Sequence, residues 1–88
     1  PSEPEVIARE DGSWLVDGLL NIDRLKEILE MDTLPDEESG RYHTVSGFMM
    51  TQLGGIPAVG QHFEWESFRF EVMDMDGRRV DKVLIARV

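Results

Sequence analysis

Residues 68–88 read FRFEVMDMDGRRVDKVLIARV, and this segment is the strongest indication of the fold. Two runs rich in aromatic and aliphatic residues flank Asp76-Gly77. The pattern predicts a strand from Phe68 to Met75, a tight turn, and a returning strand from Val80 to Val88. Asp-Gly is a strong hairpin signal because glycine takes the positive φ that such a turn requires.

Side chains alternate along both arms of this hairpin. The alternating apolar residues are Phe68, Phe70 and Val72 on the first arm and Leu84, Ala86 and Val88 on the second. Alternation of this kind is typical of strands with two different faces. Met73 and Met75 reverse the phase, which predicts a β-bulge near Val72.

Three shorter strands are predicted upstream of the hairpin. Val6–Arg9 and Trp14–Val16 flank the turn residues Asp11-Gly12, so they are expected to pair with each other. Gln61–Trp65 begins a further strand, directly before the hairpin.

Two helices are predicted between these strands. Asn21 is a suitable N-cap for the first, which runs to about Glu30 or Met31 because apolar residues recur there at helical spacing. Thr44 caps the second, whose buried stripe is Val45, Phe48, Met49 and Leu53. Gly54-Gly55 ends that helix, since glycine tolerates the left-handed conformation after a helix.

The order of elements is therefore β-β-α-α-β-β-β. Strands and helices are segregated, which predicts an α+β fold: an antiparallel sheet with both helices packed on it. Eighty-eight residues make one domain. We expect residues 1–5 to be a linker remnant and residues 6–88 to form the domain.

Charge and hydropathy argue against two kinds of interaction: nucleic-acid binding and membrane insertion. Residues 1–40 hold twelve acidic and three basic side chains, whereas residues 41–88 hold six of each. The acidic half would repel phosphate backbones, so we expect no nucleic-acid partner. No apolar run approaches the roughly 20 residues that cross a bilayer, so we expect no direct membrane insertion by this segment.

Few residues suggest a chemical site. The acidic positions Asp32, Asp36, Glu37 and Glu38 are the candidate ligands for a divalent cation, provided that a rigid loop makes them converge. Trp14 and Trp65 are candidates for a partner surface if they are exposed together. Gly55–Gly60 has the glycine spacing of a phosphate loop but continues with Gln61-His62 in place of Lys and Ser or Thr. We therefore expect no catalytic residues and no cofactor.

Several segments in order resemble the transporter-associated domain of the CorC/HlyC family. These are DGSWLVDG at 11–18, Ile22-Asp23 at a helix start, TVSGF at 44–48, LGGIP at 53–57, Gly60, FEV at 70–72 and MDGRR at 75–79. The resemblance spans nearly the whole chain. It adds a specific expectation to the α+β pattern that the residues give by themselves.

The resemblance implies a fold, a location and partners. Domains of this family resemble a small relative of the PCMH-type FAD-binding domains. They lie at the carboxyl end of larger proteins, usually after a pair of CBS domains and often behind a membrane-spanning domain. Such proteins include magnesium and cobalt efflux proteins and hemolysin-like proteins. The resemblance thus implies a cytoplasmic, non-catalytic module that modulates ion transport through protein–protein contacts.

Two other functions stay open at this stage. The domain could be a ligand sensor for a nucleotide, FAD or a divalent cation, which would require a pocket with convergent polar groups. It could also be a dimerisation domain in which two copies form a homodimer through exposed strand edges.

Overall fold

The computed structural model describes residues 3–88 of the chain. Its elements are, in chain order, β1 (Val6–Ala8), β2 (Trp14–Asp17), α1 (Ile22–Leu29), a short 3-10 helix (Glu37–Ser39), α2 (Val45–Leu53), β3 (His62–Trp65), β4 (Phe68–Asp76) and β5 (Arg79–Arg87). The predicted linker at residues 1–5 lies partly outside the described residues. Within it, the Glu5 carbonyl accepts a hydrogen bond from the Asp17 N–H at 2.9 Å.

The strands form one five-stranded sheet in the order β1-β2-β5-β4-β3. Every neighbouring pair is antiparallel. The carboxy-terminal strand β5 lies at the centre, between β2 and β4. This arrangement confirms the predicted α+β class with an antiparallel sheet and two helices.

The predicted β4–β5 hairpin is present with two adjustments. Its turn is Gly77-Arg78, one residue later than predicted, because Asp76 still pairs with Arg79. Gly77 supplies the positive φ of 61°. The predicted bulge is confirmed, since the register shifts between Val72 and Asp74.

The alternating residues Leu84, Ala86 and Val88 do not form the buried face of β5. Val83 and Ile85 are fully buried, whereas Val88 is 63% exposed. The reason is the pairing with β4, which places Val83 opposite Val72 and Ile85 opposite Phe70. Leu84 and Ala86 therefore lie on the other face of the sheet.

Both helices begin at the predicted caps. The Asn21 side chain accepts a hydrogen bond from Asp23 N–H at 2.7 Å, and the Thr44 hydroxyl accepts one from Gly47 N–H at 3.2 Å. α1 ends at Leu29, where Glu30 takes the left-handed conformation. Gly54 takes that conformation after α2, as predicted.

One core fills the space between the helices and one face of the sheet. Its fully buried side chains are Leu25 from α1, Val45, Phe48 and Met49 from α2, and Val16, Phe70, Val72, Val80, Val83 and Ile85 from the sheet. Phe48 packs edge-on against Phe63 and Phe70 with ring centroids 5.4 Å away in each case. The hydrophobic effect that holds the helices acts only on this face.

A close contact joins β2, α2 and β5. A Cβ added at Gly18 would lie 1.9 Å from the Val80 carbonyl oxygen, so no side chain fits there. The buried Ser46 hydroxyl accepts a hydrogen bond from Val80 N–H at 3.0 Å, and Ser46 N–H donates to the Gly18 carbonyl at 2.8 Å. Gly18 is thus required for close approach rather than for a positive φ.

Candidate functional site

Within residues 3–88 one face of the sheet carries no helix, and we call it the outer face; an apolar row crosses it. Five residues lie in register across the strands: Ile7, Leu15, Leu84, Glu71 and His62. The first three form the apolar row. Ile7 is 46% exposed, and Leu15 and Leu84 are half-buried. The outer face of an antiparallel sheet is usually polar when it meets water. Three aliphatic side chains side by side on β1, β2 and β5 depart from that pattern.

Ion pairs border this apolar row on both sides. Lys82 Nζ lies 3.5 Å from Asp17 Oδ2. Arg69 and Glu71, which both lie on the neighbouring strand β4, form the second pair. All four side chains are partly exposed, so these pairs stabilise the fold little and leave charge available at the surface.

The two candidate tryptophans lie on the other, helix-bearing side of the sheet. Trp14 packs beside Phe68 with ring centroids 6.1 Å away, and the Arg87 guanidinium lies 5.3 Å from both ring centroids. Trp65, on β3, lies opposite Phe68 of β4. Trp14 and Trp65 are both half-buried and lie three strands apart, about 14 Å at the usual strand spacing. The structure does not bring them together.

The acidic segment between α1 and α2, which holds the candidate cation ligands, is only partly exposed to solvent. Glu37 is half-buried: its Oε2 lies 2.5 Å from Lys26 Nζ, and its Oε1 accepts a hydrogen bond from Leu34 N–H at 3.0 Å. The Lys26 ammonium, followed by the Leu34 N–H, lowers the pKa of Glu37. The hydrogen bond to Glu37 in turn raises the pKa of Lys26. Glu37 therefore fastens the segment to α1.

A second contact holds the same segment. The Tyr42 hydroxyl donates to the Pro35 carbonyl at 2.5 Å. Tyr42 is 3% exposed. Burial, with a smaller effect of the nearby carboxylates, raises the pKa of Tyr42 to about 12. Asp36 in turn lies 3.5 Å from Arg41.

The remaining candidates, Asp32 and Glu38, are exposed, and Asp32 lines a cleft. This cleft of about 340 Å³ lies between the end of α1 and the β3–β4 turn, with the acidic residues Glu30, Asp32 and Glu66 and the apolar residues Leu29, Met31 and Phe68 in its wall. Across residues 3–88, no three His, Asp or Glu side chains converge closely enough to hold a metal ion.

Sequence reasoning missed the outer face and the cleft. The signal for the outer face was present in Leu84 and Ala86, which alternate with a second apolar set on the same strand. The cleft joins segments that are more than thirty residues apart in the chain, and no spacing in the sequence reveals such a meeting. Within the described part of the chain, no helix is long and apolar enough to span a membrane.

Comparison with known proteins finds relatives that match nearly the whole of this chain. The chain is 55% identical over 83 residues to UPF0053 protein sll0260 of Synechocystis sp., covering 94% of this chain and 18% of that protein. It is 40% identical over 86 residues to the polyamine export protein of Salmonella typhimurium, covering 98% of this chain and 19% of that protein. The chain thus spans about a fifth of the length of these curated relatives.

A solved structure shares the fold over nearly all of both chains. It is the transporter-associated domain CorC_HlyC from a Xylella fastidiosa hemolysin, in complex with Mg++ and Mn++, with a TM-score of 0.82 and 41% identity, covering 94% of this chain and 96% of that one. The family model described as the transporter-associated domain matches residues 7–88. The chain therefore belongs to the CorC_HlyC transporter-associated domain family.

Proposed function

We propose that this domain is a non-catalytic, cytoplasmic regulatory module of a larger transport protein, and that it acts through protein contacts made by its outer face. The observation that carries the proposal is the aliphatic row Ile7–Leu15–Leu84 on a sheet face that no helix covers. Covering such a row removes apolar surface from water, which favours association. The polar side chains of Glu37 and Asp36, in contrast, are paired with Lys26 and Arg41 within the domain.

The surroundings of the module follow from its family. Residues 6–88 form the module, and residues 1–5 connect it to preceding CBS domains and, through them, to a membrane-spanning domain. Its fold is a small relative of the PCMH-type FAD-binding fold. The transported solutes are cations: magnesium, cobalt or a polyamine, since a 40% identical relative is a polyamine export protein.

Transport by the full-length protein tests this proposal. Ile7→Lys places a charge on the outer face, and Leu19→Lys places the same charge on another exposed aliphatic position; the native side chains are 46% and 52% exposed. We expect Ile7→Lys to change the efflux of magnesium, cobalt or spermidine at least about threefold, because a buried charge opposes the contact. Leu19→Lys should leave efflux unchanged. Wild-type efflux in both variants, at equal protein levels, would contradict the proposal.

A second candidate function is cation sensing. The cleft beside Asp32 favours it, because the carboxylates of Glu30, Asp32 and Glu66 in its wall attract cations, although no three such groups within residues 3–88 converge on one ion. The 41% identical Xylella domain was solved with Mg++ and Mn++. A nucleotide or FAD is a poorer fit because its phosphates would meet carboxylates of the same sign.

Thermal unfolding distinguishes the candidate ligands. A ligand that binds only the folded state raises the melting temperature. If the cleft senses cations, Mg²⁺, Mn²⁺, Co²⁺ or spermidine at millimolar concentration raises the Tm, and Glu66→Gln reduces the shift. ATP and FAD should give no shift. The exposed variant Glu38→Gln is the control of equal charge, and an equal loss in both variants would reject the cleft as the site.

A further inference from the structure

We propose that the outer face binds the outer face of a second copy, about a two-fold axis that runs along the row Ile7–Leu15–Leu84. The inference rests on the proposed function, since it names the partner of the same surface. It differs from pairing of strand edges, because the sheets would stack face to face.

Two charged rows lie on either side of the apolar row. Glu5 and Arg9 are two residues before and after Ile7, so they continue its face of β1. Backbone hydrogen bonds keep both residues in register: Asp17 N–H donates to the Glu5 carbonyl at 2.9 Å, and Arg9 N–H donates to the Ser13 carbonyl at 2.8 Å. Glu5 thus belongs to one flanking row and Arg9 to the other.

The two flanking rows continue across β5 and β4. The row of Glu5 continues through Asp17 and Lys82 to Asp74, which pairs opposite Lys82. The row of Arg9 continues through Ala86 to Arg69, which pairs opposite Ala86. The row of Arg9 then ends at Glu64 on β3, which pairs opposite Arg69. The first row therefore has Glu5 on β1 and Asp74 on β4, and the second row has Arg9 and Arg69 on the same two strands.

A two-fold axis along the apolar row exchanges these two rows without changing the strand. Glu5 of one copy then faces Arg9 of the second copy, and Asp74 faces Arg69 of the second copy. Ile7, Leu15 and Leu84 each face themselves, which forms an apolar centre, and Glu71 and His62 face themselves at the far end of the same row. Each Glu71 is paired with Arg69 of its own copy. Glu5–Arg9 and Asp74–Arg69 thus form complementary pairs between the two copies, and each pair is made twice, as a two-fold axis requires.

The rest of the surface favours the same arrangement. The exposed carboxylates Asp23, Glu27, Glu30, Asp32 and Glu38 lie on α1 and the segment after it, so two helix-bearing sides repel each other. Five strands at the usual spacing span about 24 Å, and stacking them buries about 1,000 Å² in total, at the low end for a specific interface. The dimer is therefore weak and depends on concentration.

Sedimentation equilibrium of the domain with charge-exchange variants tests the proposal. A chain that this domain covers to 96% was solved as a separate structure, so the fold forms by itself. Arg9→Glu and Glu5→Arg each place like charges opposite each other at two symmetric positions. Each should weaken the dimer at least about tenfold, and the double variant should restore it. Exposed positions on α1 provide controls of equal net charge: Arg24→Glu for Arg9→Glu, and Glu27→Arg for Glu5→Arg.

The expected wild-type result is a mass that rises toward the dimer between about 10 μM and about 1 mM, as a small interface allows. A strict monomer would overturn the proposal, as would a double variant no stronger than the single ones, or equal effects of the outer-face and α1 variants. Circular dichroism checks that each variant is folded. If the domain is a monomer but Ile7→Lys still alters transport, self-association fails while the proposed function stands.

Discussion

Gly18 shows how a single residue joins three elements. It lies at the end of β2, where its backbone bonds to β5 and α2, and a Cβ would meet the Val80 carbonyl oxygen at 1.9 Å. Its importance comes from a contact with a residue sixty-two positions later in the chain. A local pattern cannot reveal such a contact.

Gly18→Ala should therefore destabilise the domain. The methyl group forces β2 away from β5, and overpacking of this kind costs typically about 1–3 kcal/mol. Urea unfolding followed by tryptophan fluorescence measures the loss. An unchanged free energy of unfolding would show that the sheet and α2 can separate at this point without cost.

Tyr42 offers a direct readout of the segment between the helices. It is the only tyrosine in the chain, so absorbance of the phenolate at 295 nm reports this residue alone. Its pKa is raised to about 12 by burial. Because the folded state favours the neutral phenol, the stability gained is complete below the unfolded pKa of about 10 and is lost as the pH rises through about 12.

We expect the folded protein to titrate near 12 and the urea-unfolded protein near 10. Circular dichroism at each pH shows whether the chain is still folded. A titration midpoint near 10 in the folded protein would mean that the Tyr42 hydroxyl is accessible and the segment is loose.

At the scale of elements, the sequence was informative where the signal is local. The caps at Asn21 and Thr44, the hairpin and the bulge near Val72 all depend on residues within a few positions of one another. The buried face of β5 was not predictable in this way, because both Val83-Ile85 and Leu84-Ala86 are apolar. Pairing with β4 decides between them.

The Lys26–Glu37 contact also lies beyond local patterns, and it makes a pH prediction. The pKa of Glu37 is lowered by the Lys26 ammonium. Its stabilising effect is therefore present above the unfolded pKa of about 4.5 and is lost as the pH falls through the lower, folded value. Glu37→Gln should flatten the fall in stability between neutral pH and about pH 3.

Glu38→Gln is the matched control for this change. It removes the same charge from the next residue, which is exposed, so its acid profile should follow the wild type. Urea unfolding at a series of pH values gives both profiles. Equal slopes for the two variants would show that Glu37 makes no special contribution.

At the scale of the whole molecule, the sequence predicted the fold class and the family, because both depend on the order of segments. The outer face was not predictable, since it depends on which side of the sheet the two helices occupy. Helices on one side leave the row Ile7–Leu15–Leu84 uncovered, and the acidic segment lies on the opposite side. The domain thus has one face suited to contact and one that repels similar surfaces.

Hydroxyl-radical footprinting of the full-length protein and of the dilute isolated domain tests the contact most directly. We expect Ile7 and Leu84 to be oxidised several-fold less in the full-length protein, because another surface covers them. Leu19 and Val59, exposed elsewhere at 52% and 60%, should be oxidised equally in both samples. Equal oxidation of Ile7 and Leu84 in the two samples would contradict the claim that this domain acts through its outer face.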